Sequence, residues 1–290
     1  MTIRLLCKEP PPSDDKHDDR LSRIPQDLMP NLRGCLGHPD AKALRGASWA
    51  VARIVRQWQP HWDCGMERAV LLARTSTTGN GWNQLSRWNT ARPVGEWEGT
   101  ITTAPGGRVQ KIALPWKNLR GVLPTELFHL AHLTVLNLQG NFLKGALPRA
   151  LPSSLEVLNL GGPNRWAGGI PSEWGSSLPN LRELKMISCG LDGPLPGALP
   201  ASLEVLALGD KYSMNTNHFA GGIPSEWGAL VNLRSLYLVS CGLDGTIPVD
   251  ALGKLTKLNV LSLLGNAFEG KSEASAALAK RLPDCLAWIS

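Results

Sequence analysis

Residues 133–148 read Leu-Thr-Val-Leu-Asn-Leu-Gln-Gly-Asn-Phe-Leu-Lys-Gly-Ala-Leu-Pro, and this stretch decides the fold. Its first six residues place Leu133, Leu136 and Leu138 in an apolar-x-x-apolar-x-apolar pattern. The pattern occurs seven times, with starts separated by 24, 22, 26, 22, 30 and 25 residues. A fixed self-similarity of this length indicates a repeat architecture. The seven copies start at Val109, Leu133, Leu155, Leu181, Leu203, Leu233 and Leu258.

Each position of the repeat has a physical role. The alternating stretch predicts a short strand whose apolar side chains face one side. An Asn or Cys follows in four copies, where it can satisfy backbone groups that a turn leaves unpaired. The Gly that comes next tolerates a tight bend. One copy cannot bury its own apolar face, so the sequence predicts an α/β solenoid whose strands form one continuous parallel sheet. The Asn and Cys positions are Asn141, Cys189, Cys241 and Asn266.

These residues resemble the leucine-rich-repeat family. The tails Gly145-Ala-Leu-Pro148, Gly222-Ile-Pro224 and Gly245-Thr-Ile-Pro248 are similar to its plant-type subclass. The resemblance covers about residues 66–290 and implies a horseshoe of about seven repeats, residues 107–270, with a concave parallel sheet. Residues 152–193 recur as residues 200–245, and the second copy carries an insert near residues 210–216, which we expect to be a loop.

Both ends of a solenoid need caps. Residues 66–106 resemble the amino-terminal cap of the family, with Trp82, Trp88 and Trp97 in its core. Residues 271–290 fit a carboxy-terminal cap that includes an amphipathic helix and Trp288. Two further tryptophans, Trp174 and Trp227, replace the usual Leu of the outer segment. We expect them to pack, because large aromatic side chains dominate core energetics.

The first 62 residues differ from the repeats. Residues 1–20 are polar and Pro-rich, which predicts a disordered tail. Residues 21–62 fit a helical segment that resembles an F-box. Such a segment implies binding to a Skp-type adaptor and substrate recruitment to a cullin-type ubiquitin ligase. The alternative is a helical pair that covers the end of the solenoid. The F-box-like positions are Pro25, Leu28, Met29, Leu32, Leu44 and Trp49.

Composition excludes several classes of protein. The net charge is +6 and the pI about 9.1, but no run of five Lys or Arg occurs, so we expect no nucleic-acid partner. No 18-residue apolar run and no signal-peptide pattern occurs, which predicts no membrane span. The six Cys form no close pair, and glycosylation sequons are absent. These features predict an intracellular protein (cytoplasm or nucleus) with reduced thiols.

The sequence gives little support for a catalytic site or a metal site. Cys35, His38, His61 and Cys64 mimic zinc spacing, but their order is uncommon, and packing explains buried Cys as well. No phosphate loop, kinase motif set or nucleophile elbow is present. We therefore expect no enzyme activity, no cofactor and no metal.

Function is expected on the concave sheet, from residues that lie between the buried Leu positions. An aromatic and basic corner near the cap contains Lys111 and Trp116. An apolar patch lies toward the carboxy end, with two charged residues beside it; its members are Ile187, Tyr237, Val239, Leu264, Glu183 and Lys185. An apolar patch rimmed by charge suits a protein or peptide ligand. The sequence thus predicts a non-enzymatic binding module, as a ligase adaptor or, alternatively, as a receptor-like module resembling receptor-kinase ectodomains.

Overall fold

The computed structural model describes residues 99–102, 108–123, 127, 130–209 and 216–289. A nine-stranded sheet runs through these residues. In spatial order its strands are β1 (Thr100–Thr102), β2 (Val109–Ala113), β4 (Val135–Asn137), β6 (Val157–Asn159), β8 (Glu183–Lys185), β10 (Val205–Gly209), β12 (Ser235–Leu238), β13 (Val260–Ser262) and β14 (Leu286–Trp288). Seven of them, from β2 to β13, are the strands of the seven repeats.

Strand pairing follows the repeat. β1 is antiparallel to β2, and every later pair is parallel. The middle apolar residue of each repeat meets its counterpart in the next, so Leu136 pairs with both Ile112 and Leu158. The predicted α/β solenoid with seven repeats and a parallel sheet is therefore confirmed.

The core lies behind the sheet. The leucines that define the repeat are almost completely buried, as Leu136, Leu184 and Leu236 illustrate. Trp174 and Trp227 are buried as predicted, and each indole Nε1–H donates to a backbone carbonyl of the preceding repeat, Pro148 O and Pro196 O, at 2.9 Å. Each tryptophan thus fills the core and also ties two repeats together.

Buried asparagines connect the turns that follow the strands. Asn141 accepts hydrogen bonds from the N–H groups of Lys117 and Leu119 and donates to the carbonyls of Leu114 and Leu138. The sequence predicted this role for Asn141, Cys189, Cys241 and Asn266, and it missed Asn164 and Asn217. Those two lie four and nine residues after the last Leu of their strands instead of three. Among the described residues, the thiols of Cys189 and Cys241 each meet one backbone group, the carbonyls of Met186 and Val239 respectively. Asn217 and Asn266 satisfy the N–H groups of Cys189 and Cys241.

Two smaller parallel sheets lie beyond these turns. One contains β3 (Arg120–Gly121), β5 (Phe142–Ala146) and β7 (Arg165–Ala167); the other contains β9 (Asp192–Pro194) and β11 (His218–Ala220). Gly145 and Gly193 have φ angles of 104° and 77° at these bends, which explains the glycine of the repeat.

Short helices complete the repeats on the side opposite the main sheet. They are α1 (Trp174–Ser177), a 3₁₀ helix (Ser225–Ala229), α2 (Val249–Leu252) and α3 (Lys271–Arg281). Helix α3 and strand β14 lie in the predicted carboxy-terminal cap.

Several sequence-based predictions fall outside the described residues. They concern the tail 1–20, the F-box-like segment 21–62, most of the amino-terminal cap 66–106 and the insert 210–216, of which only Thr216 is described.

Candidate functional site

The exposed side of the nine-stranded sheet, here called the sheet face, presents two rows of side chains in register. The first row contains Lys111, Val135, Val157, Glu183, Val205, Ser235, Val260 and Leu286. The second contains Ala113, Asn137, Asn159, Lys185, Ala207, Tyr237, Ser262 and Trp288. Because parallel strands hold these rows side by side, residues far apart in sequence form one continuous surface.

The carboxy-terminal patch of the sheet face consists of Tyr237, Val260, Leu264, Leu286 and Trp288. Leu286 is 61% exposed and Trp288 is 46% exposed. Tyr237 and Trp288 lie two strands apart, about 10 Å, on either side of Ser262. Ser262, the small residue between the two aromatic ones, is only 5% exposed, so a ligand would contact the aromatic side chains themselves. Large apolar groups exposed together are characteristic of protein-binding surfaces.

Of the predicted apolar patch, Tyr237 and Leu264 lie in the carboxy-terminal patch, Ile187 follows β8 two strands away, and Val239 needs a correction. Ile187, Tyr237 and Leu264 are partly exposed, but Val239 is only 6% exposed, so the prediction that it forms part of the exposed patch is wrong. Strand β12 ends at Leu238, and the β10–β12 register shifts between Ala207 and Gly209. The Gly209 backbone lies so close to the Val239 carbonyl oxygen that an added Cβ would clash with it. The alternation of inward and outward side chains therefore breaks just before Val239.

Leu286 and Trp288 are not among the residues predicted on the sheet face. Residues 271–290 were predicted to form a cap, whereas β14 continues the parallel sheet and pairs with β13. The sequence Leu286-Ala287-Trp288 shows no alternation of apolar and polar residues. Three residues are too few to identify a strand by periodicity alone.

The charged residues predicted beside the patch form a pair. Lys185 Nζ lies 2.6 Å from Glu183 Oε2, and both side chains are about one-third exposed. A pair so accessible to water contributes about 0–1 kcal/mol to stability. Its carboxylate and ammonium therefore stay available to a ligand. The pair lies between the carboxy-terminal patch and a polar region that contains Asn137, Gln139 and Asn159.

The predicted aromatic and basic corner lies at the amino-terminal end of the sheet face. Lys111 is partly exposed in β2, and Trp116, three residues beyond that strand, is 67% exposed. This large exposed indole and the carboxy-terminal patch lie at opposite ends of the seven repeats, so the predicted site residues form two separate clusters.

The most strongly shifted thiols lie in the core and not on the sheet face. Burial raises the pKa of Cys189 and of Cys241 to about 12. At neutral pH both thiols are therefore protonated and act as small core residues, and not as nucleophiles. Among the described residues, no group of three or more His, Cys, Asp or Glu could hold a metal ion. The residues whose spacing resembles a zinc site, Cys35, His38, His61 and Cys64, lie outside that part of the chain. Within the described residues, no helix has the length and apolar character that a bilayer crossing requires.

Comparison with known proteins supports the resemblance drawn from the sequence. The Leucine Rich Repeat family model matches residues 132–153. Receptor-like protein 3 of Arabidopsis thaliana is 38% identical over 74 residues, which cover 25% of this chain and 10% of that protein. Phytosulfokine receptor 1 of the same plant is 34% identical over 168 residues, 57% of this chain and 16% of the receptor. The chain thus spans less than a fifth of the length of these relatives.

A solved structure supports the same conclusion. The ectodomain of the Arabidopsis receptor kinase HAESA, in complex with an IDA peptide hormone ligand, superposes with a TM-score of 0.54 at 26% identity. The match covers 71% of this chain and 38% of that ectodomain. The chain is therefore a leucine-rich-repeat solenoid similar to those of plant receptor-like proteins.

Proposed function

We propose that the chain is a non-enzymatic recognition module that binds a peptide or protein ligand on its sheet face. The observation that carries the proposal is the carboxy-terminal patch, where Tyr237 and Trp288 flank Ser262 with apolar residues on both sides. Aromatic anchors of this kind contribute a large share of the binding energy at protein interfaces. The HAESA ectodomain, which has a similar fold, was solved with a peptide ligand, and that supports a peptide as the ligand class.

The test uses a random twelve-residue peptide library displayed on phage. Peptides selected on the purified chain are measured against Tyr237→Ala and Trp288→Ala. Each substitution is expected to weaken binding by about tenfold or more, as for hot-spot residues. Val231→Ala is the matched control, because Val231 is also an exposed apolar residue but follows the 3₁₀ helix, away from the sheet face. Failure to select any peptide, or an equal loss in the Val231 variant, would contradict the proposal.

A ligase-adaptor role is the second candidate. It depends on Pro25, Leu28, Met29, Leu32, Leu44 and Trp49, which lie outside the described residues, so it stays a prediction together with the intracellular location. Its test is binding of the chain to a Skp-type adaptor, compared with a Leu28→Asp, Leu44→Asp variant. Tight binding that the variant loses supports the adaptor role, and no binding by a folded chain excludes it.

A further inference from the structure

The two smaller sheets, and the turns that continue them through the last repeats, form a second exposed surface, here called the side face. Its central row takes one exposed residue from each of the seven repeats, six positions after the last apolar residue of the strand or, in the two repeats with a longer turn, three positions after the buried Asn. Since repeats of a solenoid stack on one another, successive members of the row lie about 5 Å apart. The row begins with Arg120 and Lys144, continues through Ala167, Asp192 and Ala220, and ends with Asp244 and Glu269.

The charges at both ends of the central row lack a partner of opposite sign. Ion pairs among the described residues form elsewhere, and none of them includes Arg120, Lys144, Asp244 or Glu269. The Arg120 guanidinium lies 5.0 Å from the centre of the Phe142 ring and donates to Asn118 Oδ1, and neither group compensates its charge. The amino-terminal end of the row is therefore positive and its carboxy-terminal end negative.

The order of charges in the central row is complementary to its own reverse. From the amino-terminal end it is positive, positive, neutral, negative, neutral, negative and negative. If a second copy of the chain faces the row in the opposite direction, Arg120 lies opposite Glu269. In the same arrangement Lys144 lies opposite Asp244. The spacing matches, because the two cations are one repeat apart and so are the two carboxylates.

We propose that the side face is a homodimer interface, in which two copies of the chain pack with their repeats in opposite order. A two-fold axis through the middle repeat produces this contact, and two-fold dimers use the same patch on both subunits. Each copy contributes its two cations to one half of the interface and its two carboxylates to the other half. The interface leaves the sheet face of each copy uncovered, so the inference does not depend on the proposed function.

The shapes of the two surfaces also match beside the central row. Phe142 and Gly242 follow the buried Asn or Cys of their turns directly, and the two-fold axis brings them opposite each other. The Phe142 ring is 46% exposed and meets a residue that has no side chain. In the central row Ala167 faces Ala220 of the second copy. Small residues opposite each other let the two surfaces approach closely.

Asp192 lies at the two-fold axis, where it faces the same residue of the second copy. Two carboxylates this close would repel each other without a cation beside them. The axis places Arg165 of one copy opposite His218 of the other, and His218 is paired in register with Asp192. The Arg165 guanidinium therefore lies beside the Asp192 carboxylate of the other copy, and the dimer contains two such pairs.

The experiment measures association of the full chain by sedimentation velocity, from about 5 to 200 µM, at about 50 mM NaCl, where charge pairs are weakly screened. The original chain is expected to form a dimer as its concentration rises, and about 500 mM NaCl is expected to dissociate it. A narrow interface of this kind gives a weak, reversible dimer.

Two charge-reversal variants test the arrangement of the copies. Arg120→Glu, Lys144→Glu and, separately, Asp244→Lys, Glu269→Lys place like charges opposite each other, so each variant is expected to dimerise at least about tenfold more weakly than the original chain. Mixing the two variants restores opposite charges at all four contacts. The mixture is therefore expected to form a heterodimer about as tight as the original dimer.

The matched control is Lys254→Glu, Lys280→Glu, which makes the same change of net charge at two exposed positions on the helical side of the repeats. It is expected to dimerise like the original chain. Circular dichroism checks that every variant is folded, as expected for substitutions at exposed positions. An original chain that stays monomeric at the highest concentration, or two variants that fail to associate when mixed, would overturn the proposal. Equal weakening in the control would overturn it as well.

Discussion

Trp116 and Gly140 depend on each other, and the dependence can be measured. Gly140→Ala places a methyl group against the indole at a φ of 73°, so we expect it to lower the free energy of unfolding by about 2 kcal/mol. In a Trp116→Gly background the steric part disappears and only the backbone strain remains. Denaturant unfolding of the original chain, the two single variants and the double variant should give a coupling energy of about 1 kcal/mol between the two sites. Additive effects would mean that the ring does not lie on Gly140.

Asn141 can be used to measure how much one buried amide contributes to the free energy of unfolding. Asn141→Ala leaves the Leu119 N–H and the Leu114 carbonyl without their partner inside the protein. Each unsatisfied buried group costs about 1–3 kcal/mol, so we expect a total loss of about 2–4 kcal/mol in urea unfolding.

The control for that substitution is Asn180→Ala. Asn180 also bonds a backbone carbonyl of the preceding repeat, Ser153 O, but at an exposed position. Removal of the Asn180 side chain should lower the free energy of unfolding by about 0.5 kcal/mol or less. Equal costs at the two sites would argue against a special role for the buried asparagine.

At the scale of the element, the turns after β8 and β12 place a cysteine where other repeats have asparagine. Since burial raises the pKa of Cys189 and Cys241 to about 12, we expect slow alkylation by iodoacetamide at pH 8. Cys285 is partly exposed and should react faster. Peptide mapping by mass spectrometry after brief treatment measures each site. Rapid modification of Cys189 or Cys241 in the folded chain would show that these turns open readily.

The same cysteines make stability depend on pH. Their folded pKa values lie above the ordinary thiol value of 9.0, so the unfolded chain loses these protons first as pH rises. The free energy of unfolding should therefore fall between pH 9 and pH 12, and this contribution is fully present below pH 8. Urea unfolding of the original chain and of Cys189→Ala, at pH 8 and pH 10, measures it. An equal pH effect in both proteins would contradict the assignment to this thiol.

Strand elements were predictable where the repeat is regular. The spacing of Leu133, Leu136 and Leu138 predicts both the strand and its buried side, because a residue in a parallel strand has only two directions available. Predictions failed where the strand ended or the spacing changed. Val239 lies just beyond β12, and Asn217 follows an insertion that no fixed spacing anticipates. Strand β14 is too short to show a period.

At the scale of the whole molecule, the sequence predicted a binding surface and part of its composition. It identified Tyr237 because the outward positions of a repeat can be counted, and Trp116 because it is an aromatic residue close to the outward-facing Lys111. It did not find Leu286 and Trp288, or the supporting role of Gly140, because these depend on which strands are neighbours and on a left-handed backbone. The sheet face therefore has an amino-terminal region of amides and cations and a carboxy-terminal region of apolar and aromatic residues.

The central claim is that the sheet face is the ligand-binding surface. Photo-crosslinking tests it most directly: a library-selected peptide carrying benzoylphenylalanine is bound to the original chain and irradiated, and the linked residues are identified by mass spectrometry. We expect crosslinks on β8, β10, β12, β13 and β14, with Tyr237 and Trp288 near their centre. Crosslinks that map instead to the 3₁₀ helix and Val231, on the opposite side of the repeats, would contradict the claim.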